Sequence, residues 1–375
     1  MTTAAPTQAA PTQASQTAPT PALPTPALPT QALPSPSLPT PSVLHHLSRL
    51  TDSRGLFEHA LLDVPRPEHG YCVDDVARAL IVVCREEIAD TEVLDLCRLY
   101  LDFTLSAIQP DGSCHNRMNA SGRWTDTPGT GDWWGRALWA LGVTSVHAER
   151  PATRKRAIKA FERAARQESR DLHATAFAAI GAAEMLSVDP LLAQARRIIY
   201  RASAMIPDKG AAAWPWPESR LRYSNGAIPE ALIAGGSAIG DRHLVARGLS
   251  LLAFLVANET LDGRLSVTGN EGRDPGEAGP MFDQQPIEVA AIADACARAY
   301  DVTGDKRWLD GVRLAWEWFL GSNDSETPMI DASTGAGYDG LTARGRNENR
   351  GAESTLAALS TFQQARRLIG AEMPR

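Results

Sequence analysis

Alternating runs of β-branched residues, the mark of half-buried strands, are scarce in this chain of 375 residues, which leaves helix as its main element. No strand–helix alternation and no GxGxxG following a strand is present, so nothing indicates a nucleotide site. The five cysteines (Cys72, Cys84, Cys97, Cys114, Cys296) form no CxxC pair, and an odd count does not suit a disulfide framework. HExxH and Asp-rich calcium loops are missing as well, so no metal or other cofactor is implied. Positive charge is in deficit: 37 Lys and Arg against 44 Asp and Glu give a net charge of −7. That balance argues against a nucleic-acid or anionic-membrane partner, which would require a clustered basic surface. The one basic run, 150–170, interleaves Arg and Lys with Ala, Ile158 and Phe161 at helical spacing, as the wet face of an outer helix would.

Residues 1–41 lack both a basic start and a continuous apolar stretch, so they read as neither a secretory signal nor a membrane span. They consist almost wholly of Ala, Pro, Thr, Gln, Ser and Leu, with PALPT twice in succession at 21–30. Such a composition predicts a disordered, partly polyproline-like tail, and the cytoplasm is the simplest location for the chain.

What the chain does have is a recurring phrase in which a Gly- or Asn-bearing loop meets an acidic or amide residue and then an Ala/Leu-rich run. It reads HGYCVDDVARAL at 69–80, GTGDWWGRALWAL at 129–141, YSNGAIPEALIAGG at 223–236, FDQQPIEVAAIADAC at 282–296 and NENRGAESTLAALS at 347–360. From Ser42 onward the apolar period is helical. More charged segments (42–50, 91–108, 151–169, 189–206, 241–258, 305–320) alternate with Ala-, Gly- and Leu-rich ones starting near Asp74, Asp132, Leu172, Asn225, Asp283 and Gly351. A helix with a charged stripe faces water, and one apolar on nearly all sides is buried. Six hairpins in two layers follow, an all-α (α/α)6 toroid over 42–375. Links from an inner to the next outer helix are short, whereas 51–73, 109–131, 207–224, 259–282 and 321–350 are long. The long loops therefore share the face where inner helices begin, and such loops on a rigid scaffold carry function.

The phrases GYCVDDVARAL, FDQQPIE and NENRGAESTLA resemble the bacterial six-hairpin, (α/α)6-toroid carbohydrate-active proteins. More narrowly, they resemble a group often labelled glycosyltransferase because relatives are fused to, or encoded beside, sugar-transferring enzymes. The similarity spans roughly 43–368 and implies a sugar-handling toroid, with a sugar-transferring enzyme as a conceivable partner.

Cleaving a glycosidic bond requires one carboxylic acid to protonate the leaving oxygen and one carboxylate to activate water or attack carbon. The candidates at the mouth are Asp75, Asp132, Asp283 and Glu353, with Asp75 favoured over its neighbour Asp74 because consecutive helical side chains diverge. We expect these four to line one cavity with Trp133 or Trp134, the acid–base pair joining Asp75 or Asp132 to Asp283 or Glu353. Further binding candidates are His69, Asp74, Trp214, Tyr223, Glu230, Gln284, Glu288, Asn347 and Asn349; His59 stands with His69 below the carboxylates. For each acidic residue taken singly, a helix cap is the competing explanation. The leading expectation is a metal-independent glycoside hydrolase acting on a short oligosaccharide. A phosphorylase would need a phosphate site, for which Arg117, Arg123, Arg273, Arg344, Arg346 and Arg350 lie in the loops. An epimerase would lean on histidine, and a non-catalytic sugar-binding or scaffolding toroid would need no acid–base pair.

Overall fold

The computed structural model describes residues 44–207 and 214–370, so the expected tail at 1–41 lies outside the described residues. In chain order the helices are α1 (His45–Arg49), α2 (Val73–Cys84), α3 (Thr91–Ala107), α4 (Asp132–His147), α5 (Pro151–Ala164) and α6 (Leu172–Val188). They continue with α7 (Ala193–Met205), α8 (Ala227–Ile239), α9 (Arg242–Asn258), α10 (Pro286–Thr303), α11 (Arg307–Phe319) and α12 (Ala352–Ile369). The even-numbered helices form an inner ring: each packs on the next, and α12 returns to pack on α2, which closes the toroid. The odd-numbered helices lie outside and bury only one stripe. In α5, for example, Ala157, Ala160, Phe161 and Ala164 face inward, whereas in α6 nearly every residue from His173 to Leu186 is buried.

Two expected boundaries shift for local reasons. The fifth inner helix starts at Pro286 rather than Asp283, because proline has no N–H to lose and its fixed φ suits the first helical position. The first outer helix is only five residues long.

The inner ring is tight. A Cβ on Gly181 would lie 2.3 Å from the Leu138 carbonyl oxygen, and one on Gly142 equally close to that of Gly181, so α4 and α6 meet backbone to backbone. Gly181→Ala is expected to destabilise the protein by about 1–3 kcal/mol, because the neighbour is backbone and cannot swing away; denaturant titration of both forms would measure it.

The long loops interlock around the mouth. Strands β1 (Ala60–Leu61) and β2 (Val64–Pro65) form a hairpin, and β3 (Tyr71–Cys72) pairs with β4 (Arg117–Met118) across two loops. Leu221 bridges to Arg273, Gln284 to Leu341, and the Arg350 N–H donates to the Leu62 carbonyl. First and last loops are thereby joined.

Candidate functional site

The first turns of α2, α4 and α12 point into one open cavity of about 360 Å³. Their carboxyl groups gather there because a helix N-terminus presents unpaired N–H groups and a positive dipole end. Asp74 and Asp75 lie in the first turn of α2, Asp132 opens α4, and Glu353 is the second residue of α12. The loops add Glu58, His59, Arg117, Tyr223 and Asp339 to the lining. Three adjacent inner helices therefore build the site, with α2 between the other two. This differs from carboxylates placed across the ring by opposite halves of the chain, because closure makes the first and last inner helices neighbours.

Two arginines on the inner helices organise these acids. Arg78, one turn into α2, donates to Asp75 at 2.5 Å and to Glu353 at 2.7 Å. Burial pushes the Glu353 pKa upward, but Arg78 and Arg136 outweigh it and hold the carboxyl below its ordinary value. Almost half of the Glu353 side chain (46%) nevertheless remains open to the cavity. Arg136, one turn into α4, is buried with its guanidinium 4.0 Å from the Phe177 ring centroid. Its Nε stands 3.5 Å from Asp74 Oδ1, an ion-pair distance without a hydrogen bond. Burial lowers the Arg136 pKa to about 10, with Arg78 adding to the shift. A lone arginine on an otherwise apolar inner helix was the available signal, since a buried cation requires a carboxylate partner.

The paired aspartates both line the cavity but differ in exposure. Asp75 is 2% exposed, held by Arg78 and by the Cys72 thiol, which donates to it at 3.1 Å. Asp74 is the more open, because Asp75 turns back toward its own helix while Asp74 faces α4. Asp132 differs from both: among the described residues no hydrogen bond or ion pair reaches its carboxyl. Burial pushes it up to about 6 against the pull of Arg136, with Asp171 and Asp74 adding to the rise.

Several expected members are elsewhere. Asp283 is exposed and does not line this cavity, because it lies in the loop before Pro286 rather than on α10. Trp134 is buried in the core and donates to the Ala164 carbonyl; Trp133 donates to that of Cys114 at 2.7 Å. Trp214 donates to the Glu218 carbonyl and packs edge-on against Phe254. These indoles pin loops and core, and the aromatic that reaches the cavity is Tyr223, 37% exposed and stacked on His173 at 4.8 Å. Glu230 lines a narrower cleft along the ring axis and a chamber at the other ends of the inner helices, near Arg298.

Gln284 and Glu288 are buried loop anchors. Gln284 donates to Asp324 and accepts from the Trp318 indole, while Glu288 accepts from Ser224 and Asn225. Asn349 accepts from the Leu62 N–H, Asn347 accepts from the Asn349 N–H, and His69 stands exposed, edge-on to His59 at 5.0 Å. Asp339, unforeseen, accepts from the Gly351 N–H at 2.7 Å and from the Ser354 hydroxyl, which caps α12 from the preceding loop.

Of the loop arginines, Arg117 alone among the described residues lines the cavity, and it is paired with Glu58. Arg273 is spent on the Ser266 and Gly279 carbonyls, and Arg346 and Arg350 lie over the Tyr338 ring. Glu58, Cys72 and Asp75 bring three possible ligand atoms within 4.8 Å of one another. Arg117 and Arg78 already neutralise the two carboxylates, and burial with the adjacent Asp75 raises the Cys72 thiol pKa. The trio offers a cation little.

No protein-family model matches this sequence, and no curated protein does. Solved structures do. A sugar epimerase from a ruminal bacterium superposes with a TM-score of 0.64 at 14% identity, over 86% of this chain and 95% of that one. Cellobiose 2-epimerase from Bacillus thermoamylovorans B4167 gives 0.64 at 13% identity, over 86% and 95%. The GH76 α-mannanase from Bacteroides thetaiotaomicron gives 0.60 at 12% identity, over 88% and 96%. The chain thus has the six-hairpin, glycosidase-like (α/α)6 toroid fold. At these identities the likeness speaks for the fold.

Proposed function

We propose that this protein is a glycoside hydrolase for a short oligosaccharide, with Asp132 as general acid and Glu353 as the carboxylate that activates water. The observation that carries the reading is the split between these two groups within one cavity. Among the described residues no hydrogen bond or ion pair reaches the Asp132 carboxyl, which burial pushes up to about 6, whereas Glu353 is gripped by Arg78 and kept ionised. Two carboxyls driven apart in this way are what acid and base roles demand. Tyr223 offers an aromatic face for a sugar ring, and Asp74 a second open acceptor for hydroxyls. The similar structures named as epimerases and a mannanase support a carbohydrate substrate. Because α2 separates α4 from α12, the wider carboxyl spacing of about 6.5–9.5 Å is expected, hence inversion of the anomeric centre.

The test is digestion of a panel of short oligosaccharides with and without phosphate and nucleotide-sugar donors, followed by proton NMR of the first-formed anomer. Phosphate-independent release of a reducing sugar supports hydrolysis; tight binding without turnover of any glycoside would instead favour the scaffold alternative. The rate should also depend on pH in a defined sense. Activity should fall as pH rises through about 6, where Asp132 loses its proton, and fall again only below the ordinary glutamate range, where Glu353 gains one. An alkaline limb several units higher would remove Asp132 from the acid role. A second reading, epimerisation, is favoured by His59 on the cavity lining, with His69 edge-on to it. Solvent deuterium entering a recovered sugar would identify it.

A further inference from the structure

The charge of the cavity narrows the ligand class, on the footing that this cavity is the sugar site. Its lining holds six carboxyl groups against three guanidinium groups, an excess of three negative charges. Each of the three guanidiniums already stands beside a carboxylate. Arg78 spans Asp75 and Glu353, Arg117 is paired with Glu58, and Arg136 faces Asp74 with its flat side covered by Phe177. Among the described residues no hydrogen bond reaches the Asp132 carboxyl on the lining, while Asp74 Oδ1 is buried against Arg136. Free carboxylate oxygens accept from hydroxyl groups and repel other anions, and the low-dielectric walls of a half-buried cavity strengthen both effects.

We propose that the cavity selects uncharged hexose units and rejects uronates, sulfated sugars and phosphorylated sugars. An anionic ligand would have to share an arginine with the carboxylate already beside it. An uncharged hydroxymethyl group at the same position carries no such penalty and can donate to a carboxylate. The same excess of negative charge disfavours inorganic phosphate, which sets phosphorolysis apart from hydrolysis in this site.

Calorimetric titration of the full-length protein with matched pairs that differ only at the sixth carbon tests this directly: glucose with glucuronate, galactose with galacturonate, mannose with mannuronate. Each pair is measured at neutral pH, with inorganic phosphate run alongside. The uncharged member of the best-binding pair is expected to bind at least about tenfold more tightly than its uronate. A uronate or phosphate that binds as well as the uncharged sugar overturns the proposal. So does a panel in which no uncharged sugar binds at about 50 mM. Asp74→Asn, which lowers the negative charge beside Arg136, should raise uronate affinity relative to the uncharged partner by about three- to tenfold. A ratio unmoved in that variant, shown folded by circular dichroism, also overturns it. Uncharged sugars that bind while no glycoside is cleaved would sink the hydrolase reading and leave this selectivity standing. Cleavage of a uronate-terminated oligosaccharide would do the reverse.

Discussion

Asp132→Asn is expected to lower kcat on the identified glycoside by about 10²–10⁴-fold, because an amide of the same shape cannot supply the proton that the departing oxygen requires. Stability should move the other way or not at all. The sign follows from linkage: burial raises the folded pKa of Asp132 to about 6, above its unfolded value. Its contribution is therefore fully present at low pH and is lost as pH rises through about 6, so at neutral pH the ionised side chain weighs against the fold. A neutral amide removes that penalty. A helix cap would behave oppositely, since replacing one costs stability, yet the Asp132 carboxyl makes no backbone hydrogen bond among the described residues. Activity loss should also be smaller on aryl glycosides with acidic leaving groups, which depart with less protonation. Asp283→Asn, exposed and outside the cavity, serves as the control and should stay within about twofold of the parent. Full activity of Asp132→Asn on an unactivated substrate would refute the assignment.

Arg78→Met should be the most damaging single change to the site. The guanidinium is 11% exposed and holds two carboxylates from helices at opposite ends of the chain. Its loss leaves Asp75, itself 3% exposed in its side chain, as an uncompensated buried charge. Breaking such a pair by removing one partner typically costs about 3–5 kcal/mol. The loss should depend on pH in a predictable direction. Without Arg78 the Asp75 pKa rises further, so the variant gains most of its stability back where Asp75 is protonated and is weakest at alkaline pH. Denaturant midpoints for both proteins across the pH range would show the gap widening upward, and a gap independent of pH would mean that packing, rather than charge, was lost. Activity provides the second readout: Glu353, released from its clamp, should titrate higher and shift the acid limb of the rate profile upward.

Much of the toroid was legible in residue order. Alternation of charged and apolar helical segments separates α5, with one buried stripe, from α6, buried along nearly its whole length. Loop-length asymmetry then assigns the functional face, and the helix starts at Asp132 and Leu172 agree with the sequence to the residue. Misplaced starts had local causes as well, such as Pro286 setting the beginning of α10. The carboxylates of the mouth were likewise visible as first-turn residues, since that position is a local property. Their condition was not. Whether an acid is free or committed depends on a partner that arrives through space: Arg78 reaches Glu353 across 275 positions, and Asn349 reaches Leu62 across 287.

For this protein, then, sequence determined the periodic quantities, which are the helices, their inner or outer rank and the face that carries the loops. Each depends on side chains a few residues apart. Tertiary structure alone decided that Asp132 is open while Asp75 is clamped, that Tyr223 rather than Trp133 or Trp134 reaches the cavity, and that Glu288 anchors a loop. Ring closure brings α12 against α2, and burial and ion pairing set by that contact have no signature in local spacing.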